Sequence, residues 1–274
     1  HLFFSIEMRL GMIRLIASDL DDTLLDQNSR LSQENKQAIA KVLDQGLIFT
    51  LATGRMFQSA APFARELNLP EDQPLICYNG ALIKRLSGET LYESPLSTEL
   101  SVQIAGYGQE QGWTVNAYFN DELYVSALNH YVEDYVAVAQ VEAKLVDDLV
   151  SFLQDGEKTL SKILIVGPEQ ETPERIRELR SLVGSQVQLV SSKDKFIEVT
   201  SPEAHKGNAL KWLAEFVGVE VSEVMAIGDG NNDLTMVEMS GTGVAVANAA
   251  QKVKEKASHL TGANYDHGVA QILN

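Results

Sequence analysis

The sequence predicts an α/β protein: a doubly wound parallel sheet interrupted by an α+β insert. Three observations predict it. Short apolar runs of strand length at 13–18, 47–52 and 224–227 alternate with helical patterns, and short βαβ units of this kind build parallel sheets. Each of these runs gives way directly to polar, chemistry-bearing residues, which places them at the sheet edge where such folds keep their sites. The interval 84–200 has a different texture, with closely spaced strand candidates and hairpin signals.

Taken in order, Ile13–Ser18 is a buried strand that ends in Asp19-Leu20-Asp21-Asp22-Thr23. Ser32 can cap a helix whose apolar positions Ala38, Ile39, Val42 and Leu43 recur at three and four, and Gly46 stops it. A second strand, Leu47–Ala52, closes with Thr53-Gly54-Arg55. Phe57, Ala60, Ala61, Ala64 and Leu67 then mark a helix that Pro62 can interrupt, and Leu75–Tyr78 forms a third strand. In the insert, Trp113–Phe119 and Glu122–Val125 flank the hairpin signal Asn120-Asp121. Helical patterns follow at 129–138 and 173–183, and strand-like runs at 162–166, 186–190 and 196–199, the last two joined by a turn at 191–194. Beyond it, Leu210, Leu213, Ala214 and Val217 form a helical stripe stopped by Gly218. The strand 224–227, a short helix near 233–239 and the run Val244-Ala245-Val246 complete the pattern.

Asp19 and Asp21 stand two residues apart after a strand, so one carboxylate can attack an electrophile while the other donates a proton to the leaving group. Taken alone, an Asp-rich turn is ordinary solvated punctuation. Thr53 and Arg55 add a hydroxyl and a guanidinium at a second strand end, Lys206 opens a helical pattern, and Gly228-Asp229-Gly230-Asn231-Asn232-Asp233 closes a further strand. Asp229-x-Asn231-x-Asp233 mimics half of a calcium loop, but Leu234 and Ser240 stand where that loop wants Gly and Glu. There is no phosphate-binding G-x-x-x-x-G-K-[S/T], and Gly106-Tyr107-Gly108 lacks the third glycine of a dinucleotide fingerprint. The histidines show no paired-ligand spacing.

The ordered set Asp19-x-Asp21-x-Thr23, Thr53, Lys206 and Gly228-Asp229-x-x-Asn232-Asp233 resembles the haloacid dehalogenase superfamily, specifically its Cof-type phosphatases with a large cap. The resemblance spans roughly 12–274. It implies a Rossmann-like catalytic core over 12–83 and 201–274, and an inserted cap over 84–200 that sets substrate specificity. It assigns Asp19 as nucleophile, Asp21 as general acid and then base, and Thr53 and Lys206 as ligands of the phosphoryl oxygens. Asp19, Asp21, Asp229 and Asp233 are its expected metal residues, for Mg²⁺, while Leu20, Gly54, Arg55, Asn79 and Asn232 are expected at the substrate, with Asn79-Gly80 reading equally well as a structural turn. The implied activity is hydrolysis of small phosphate esters, sugar phosphates or phosphorylated cofactors, through an aspartyl-phosphate. A phosphomannomutase-like phosphomutase and a catalytically silent phosphate-binding module are the alternatives.

Composition is consistent with that expectation. Across 274 residues, 22 basic against 38 acidic side chains give a formal charge of −16, which argues against nucleic-acid or anionic-membrane partners. A phosphate ester would meet that field too, so a metal and local cations such as Lys206 and Arg55 are needed to receive it. The single Cys77 excludes an internal disulfide framework and fits a reducing cytoplasm. No stretch reaches the ~20 apolar residues that span a membrane. The segment 1–11 lacks the features of a secretory signal and reads as a tag or upstream segment, with Met12 the natural start.

Overall fold

A computed structural model describes residues 12–193 and 195–274, so the expectation for 1–11 lies outside the described residues. The chain divides into two compact units: one holds the residues up to Gly54, Ala60–Leu91 and His205–Asn274, the other Arg55–Ser59 and Tyr92–Ala204.

The first unit is built on a five-stranded parallel sheet. In spatial order its strands are His259–Leu260, Thr242–Ala245, Val224–Gly228, Leu15–Ser18 and Ile48–Leu51. The inner strands are buried along their whole length, which is why they read as unbroken apolar runs rather than alternating ones. A parallel bridge from Ala52 to Ile76 continues the pairing toward the strand Pro74–Cys77, which runs antiparallel to Leu82–Arg85. Helix Gln33–Asp44 starts as expected, with the Ser32 hydroxyl accepting from the Asn35 N–H at 3.2 Å. Helix Phe57–Glu66 is continuous through Pro62; the carbonyl that loses its partner belongs to Gln58, an exposed residue, where water can serve it. The strand expected to include Tyr78 ends at Cys77, because Tyr78 turns into the left-handed region with φ 51°.

The second unit is an α+β domain with its own six-stranded sheet, in the order Gln188–Lys193, Phe196–Thr200, Lys162–Val166, Thr114–Phe119, Glu122–Val125 and Ala143–Leu145. Asn120 and Asp121 both take positive φ, 50° and 60°, as a two-residue hairpin requires. One face of the sheet contributes Val115, Ala117, Ile163, Ile165, Ile197 and Val199 to an apolar core. Helices Thr98–Glu110, Leu149–Gln154 and Thr172–Val183 complete that core with Ile104, Leu149, Leu153 and Leu179. The strand beginning at Gln188 runs on through Ser191–Lys193, where the sequence predicts a turn. The pairing shifts register between Val190, opposite Glu198, and Lys193, opposite Phe196, so the strand takes up one extra residue as a bulge there, and Asp194 lies outside the described residues. Among the described residues no helix is long and apolar enough to cross a membrane.

Candidate active site

Parallel pairing decides which residues share the sheet edge. Ser18 lies opposite Ile227 on one neighbour and Leu51 on the other. One residue further on, the Asp19 N–H donates to the Ile227 carbonyl at 2.9 Å, so Asp19, Thr53 and Asp229 leave adjacent strands at one edge. Lys206 arrives from elsewhere, as the first residue of helix Lys206–Phe216, whose cap is the His205 ring: Nδ1 accepts from the Asn208 N–H at 3.1 Å. Its ammonium is fully buried and donates to Asp19 Oδ1 at 2.5 Å and to Asp233 Oδ1 at 2.6 Å.

Asp233 is fixed from its other oxygen. Oδ2 accepts the N–H groups of Asp229 at 2.9 Å and Gly230 at 2.8 Å, which folds the Asp229–Asp233 turn around the carboxylate. The turn closes so tightly that a Cβ on Gly228 would sit 2.5 Å from the Cβ of Asp233. With both oxygens engaged, Asp233 is built first as a brace for Lys206 and for the turn. Asp229 is held in turn by Thr23, whose hydroxyl donates to Oδ1 at 2.7 Å. Oxygens of Asp19, Asp229 and Asp233 all lie within 4.8 Å of one another, an acidic triad able to hold a metal ion.

Two carboxylates thus share one ammonium with a third, Asp229, close by, and their protonation shows the imbalance. Burial, reinforced by the charge of Asp233, pushes the Asp19 carboxyl well above its usual range. Burial and then Asp233 push Asp229 up to about 6. Burial alone would lower Lys206, yet the charges of Asp19 and Asp233 outweigh it and hold the ammonium above its ordinary value. A dense set of hard oxygen donors with a deficit of positive charge is what a divalent cation such as Mg²⁺ takes.

Not every expected residue joins this cluster. Asp21 is half-buried in the turn after Asp19 and lies outside the triad. Leu20 is fully buried, and its carbonyl accepts the N–H groups of Leu24 and Leu25, so its side chain serves the core and its backbone the turn. Thr53 is fully buried, and its N–H donates to the Ile76 carbonyl at 2.9 Å. Asn232 is half-buried and donates through Nδ2 to Asn79 Oδ1 at 3.0 Å; Gly54 packs against the same Asn79 carboxamide. Arg55 falls in the stretch that groups with the second unit. The sequence reading gave no role to Thr23, although it stood in the motif, nor to Asn248, which donates to the Asp22 carbonyl at 2.7 Å and steadies the turn behind Asp21. A lone Asn in a loop carries no signal of that kind.

A family model described as haloacid dehalogenase-like hydrolase matches residues 16–273. The chain is 31% identical over 270 residues to YxeH of Bacillus subtilis (strain 168), a protein provisionally named a phosphatase, covering 96% of this chain and 98% of that one. It is 28% identical over 291 residues to YwtE of the same organism, named a 5-amino-6-(5-phospho-D-ribitylamino)uracil phosphatase, covering 96% and 97%. Among solved structures, a haloacid dehalogenase-like hydrolase from Bacteroides thetaiotaomicron superposes with a TM-score of 0.87 at 29% identity, covering 95% of this chain and 98% of that one. The strand-edge aspartates, the braced lysine and these matches agree, and the chain belongs to the haloacid dehalogenase-like hydrolase family as a phosphoric monoester hydrolase of the Cof type.

Proposed function

We propose that the protein is a Mg²⁺-dependent phosphatase that hydrolyses small phosphorylated metabolites, sugar phosphates or phosphorylated cofactors, through an aspartyl-phosphate on Asp19. The observation that carries this reading is the Lys206 ammonium, buried between the nucleophile and Asp233 in a site that also holds Asp229. Asp19, Asp229 and Asp233, with Asp21 alongside, would hold the cation, which when bound offsets the negative charge of carboxylate and phosphate so that one anion can approach the other. Asp19 attacks phosphorus, and Asp21 protonates the departing alkoxide and then takes a proton from water in the second half-reaction. Lys206 faces the charge that spreads over the transferred group, and Thr53 and Asn232 supply further donors. Arg55 and Gly54 are proposed to meet the ester, and the second unit to act as a cap that selects its organic part.

That some relatives bear the name of a phosphatase for a phosphorylated ribitylamino-uracil supports substrates of metabolite size and puts such polyol phosphates first in a panel. The cytoplasm suggested by the lone, buried Cys77 belongs to the same proposal. The test is phosphate release from a metabolite panel and a phosphopeptide set, with Mg²⁺ and with EDTA. Efficient Mg²⁺-dependent hydrolysis of metabolites is expected; turnover of phosphopeptides alone, or turnover untouched by EDTA, overturns the reading.

A further inference from the structure

Three consecutive residues, Tyr78, Asn79 and Gly80, take positive φ of 51°, 55° and 103°. Two of them carry side chains, and both are buried, Tyr78 fully and Asn79 to 8% exposure. Left-handed backbone is strained for a non-glycine residue, and more so for a bulky residue than for an asparagine. Such a turn persists only where its surroundings determine it, and the attachments of this one show which surroundings those are. The Asn79 N–H donates to the Thr53 carbonyl at 3.0 Å. The Asn79 carboxamide accepts from Asn232 Nδ2 at 3.0 Å. Gly80 lies against the His205 carbonyl so closely that a Cβ there would be 2.5 Å from the oxygen, and His205 is the cap of the helix that begins with Lys206.

Two neighbouring residues of this turn, Asn79 and Gly80, therefore reach the three chain segments that carry Thr53, Asn232 and Lys206, which lie far apart in sequence. We infer that the Tyr78–Gly80 turn sets the spacing of these phosphate-facing groups and that Asn79 is a positioning residue, acting on the phosphoryl group through Asn232. The inference rests on the phosphatase reading for its consequence in turnover. Glycine at 79 keeps the left-handed backbone at no steric cost and removes only the carboxamide, so Asn79→Gly separates orientation from folding.

The experiment uses the full-length protein with Mg²⁺ and compares wild type, Asn79→Gly, Asn232→Ala and the double variant. Two readouts are taken: affinity for inorganic phosphate by calorimetric titration, and kcat and KM for the best substrate. Asn79→Gly is expected to melt with wild type yet to bind phosphate about tenfold more weakly, the worth of one oriented hydrogen bond. The double variant should be no weaker than Asn232→Ala alone, because both changes break the same contact. Unchanged phosphate affinity in Asn79→Gly, effects that multiply in the double variant, or a wild type that binds no phosphate overturns the inference. A wild type that binds phosphate but hydrolyses no monoester counts against the phosphatase reading instead, and the titrations still decide the role of Asn79.

Discussion

Replacing Lys206 with Met keeps nearly the same side-chain volume and removes only the charge. In the native protein the ammonium is fully buried and lies 2.5 Å from Asp19 and 2.6 Å from Asp233, whose side chains are 7% and 1% exposed. Without it, buried carboxylates face one another with no cation among them. Breaking a buried ion pair by deleting one partner costs about 3–5 kcal/mol, which for a chain of this length lowers the melting temperature by roughly 10 °C. The deficit must depend on pH. Burial and Asp233 already raise the Asp19 carboxyl, and losing Lys206 raises it further, so the folded variant takes up protons more readily than its unfolded chain. A group raised in the folded state contributes stability at low pH that is lost as pH rises. The gap between variant and wild type is therefore smaller near pH 5 than near pH 8. Thermal melts followed by circular dichroism in EDTA measure it. A variant that melts within about 2 °C of wild type near pH 8, or a gap that does not change with pH, refutes the electrostatic account of the cluster.

Asp19→Asn removes the proposed nucleophile but also one disfavoured buried charge, so turnover is expected to fall by about 10⁴ or more while the metal-free melting temperature stays level or rises; substantial residual turnover argues against the aspartyl-phosphate. Asp21→Asn should slow alkyl phosphates by about 10²–10⁴ and p-nitrophenyl phosphate much less, because only the alkoxide needs a proton to leave; equal losses for both rule out Asp21 as the acid. Asp229, raised from 3.8 to about 6 in the folded metal-free protein, makes that protein less stable as pH rises through this window. Mg²⁺ competes with the same proton, so the rise in melting temperature it causes should be small near pH 5 and reach a plateau above pH 6. A shift of constant size across that range contradicts the assignment of Asp229 as a ligand.

Much of this site was legible because its chemistry follows directly from strands. Leu15–Ser18, Ile48–Leu51 and Val224–Gly228 are short apolar runs with polar residues at their C-terminal ends, and parallel pairing then brings Asp19, Thr53 and Asp229 to one edge. What stayed hidden are contacts between loops. Thr23 was visible in its motif, but its bond to Asp229 joins residues 206 positions apart. The need for glycine at 228 comes from the way the turn closes on Asp233, a three-dimensional fact with no local signature. Helix Thr98–Glu110 escaped the reading of periodicity because glycines and polar residues dilute its apolar stripe. Gly108 is there to let Val115 approach, since a Cβ would fall 2.6 Å from its methyl group. Tyr78 likewise read as the end of a strand, since tyrosine is an ordinary strand residue and nothing local marks its left-handed backbone here.

The place of Leu15–Ser18 between Val224–Gly228 and Ile48–Leu51 also dictates a history for each newly made molecule. One edge of that N-terminal strand can be covered as soon as residue 51 has emerged from the ribosome, but its other edge is paired only by a strand made about 200 residues later, at 224–228. Synthesis at about 5–20 residues per second leaves that edge bare for ten seconds or more. During this wait the nascent chain exposes an apolar template open to mispairing, and it has neither Lys206 nor Asp229 beside Asp19. The proposed site is thus incomplete until Asp229 has been made, and the chain's demand for chaperones should concentrate in the interval before residue 228 is made.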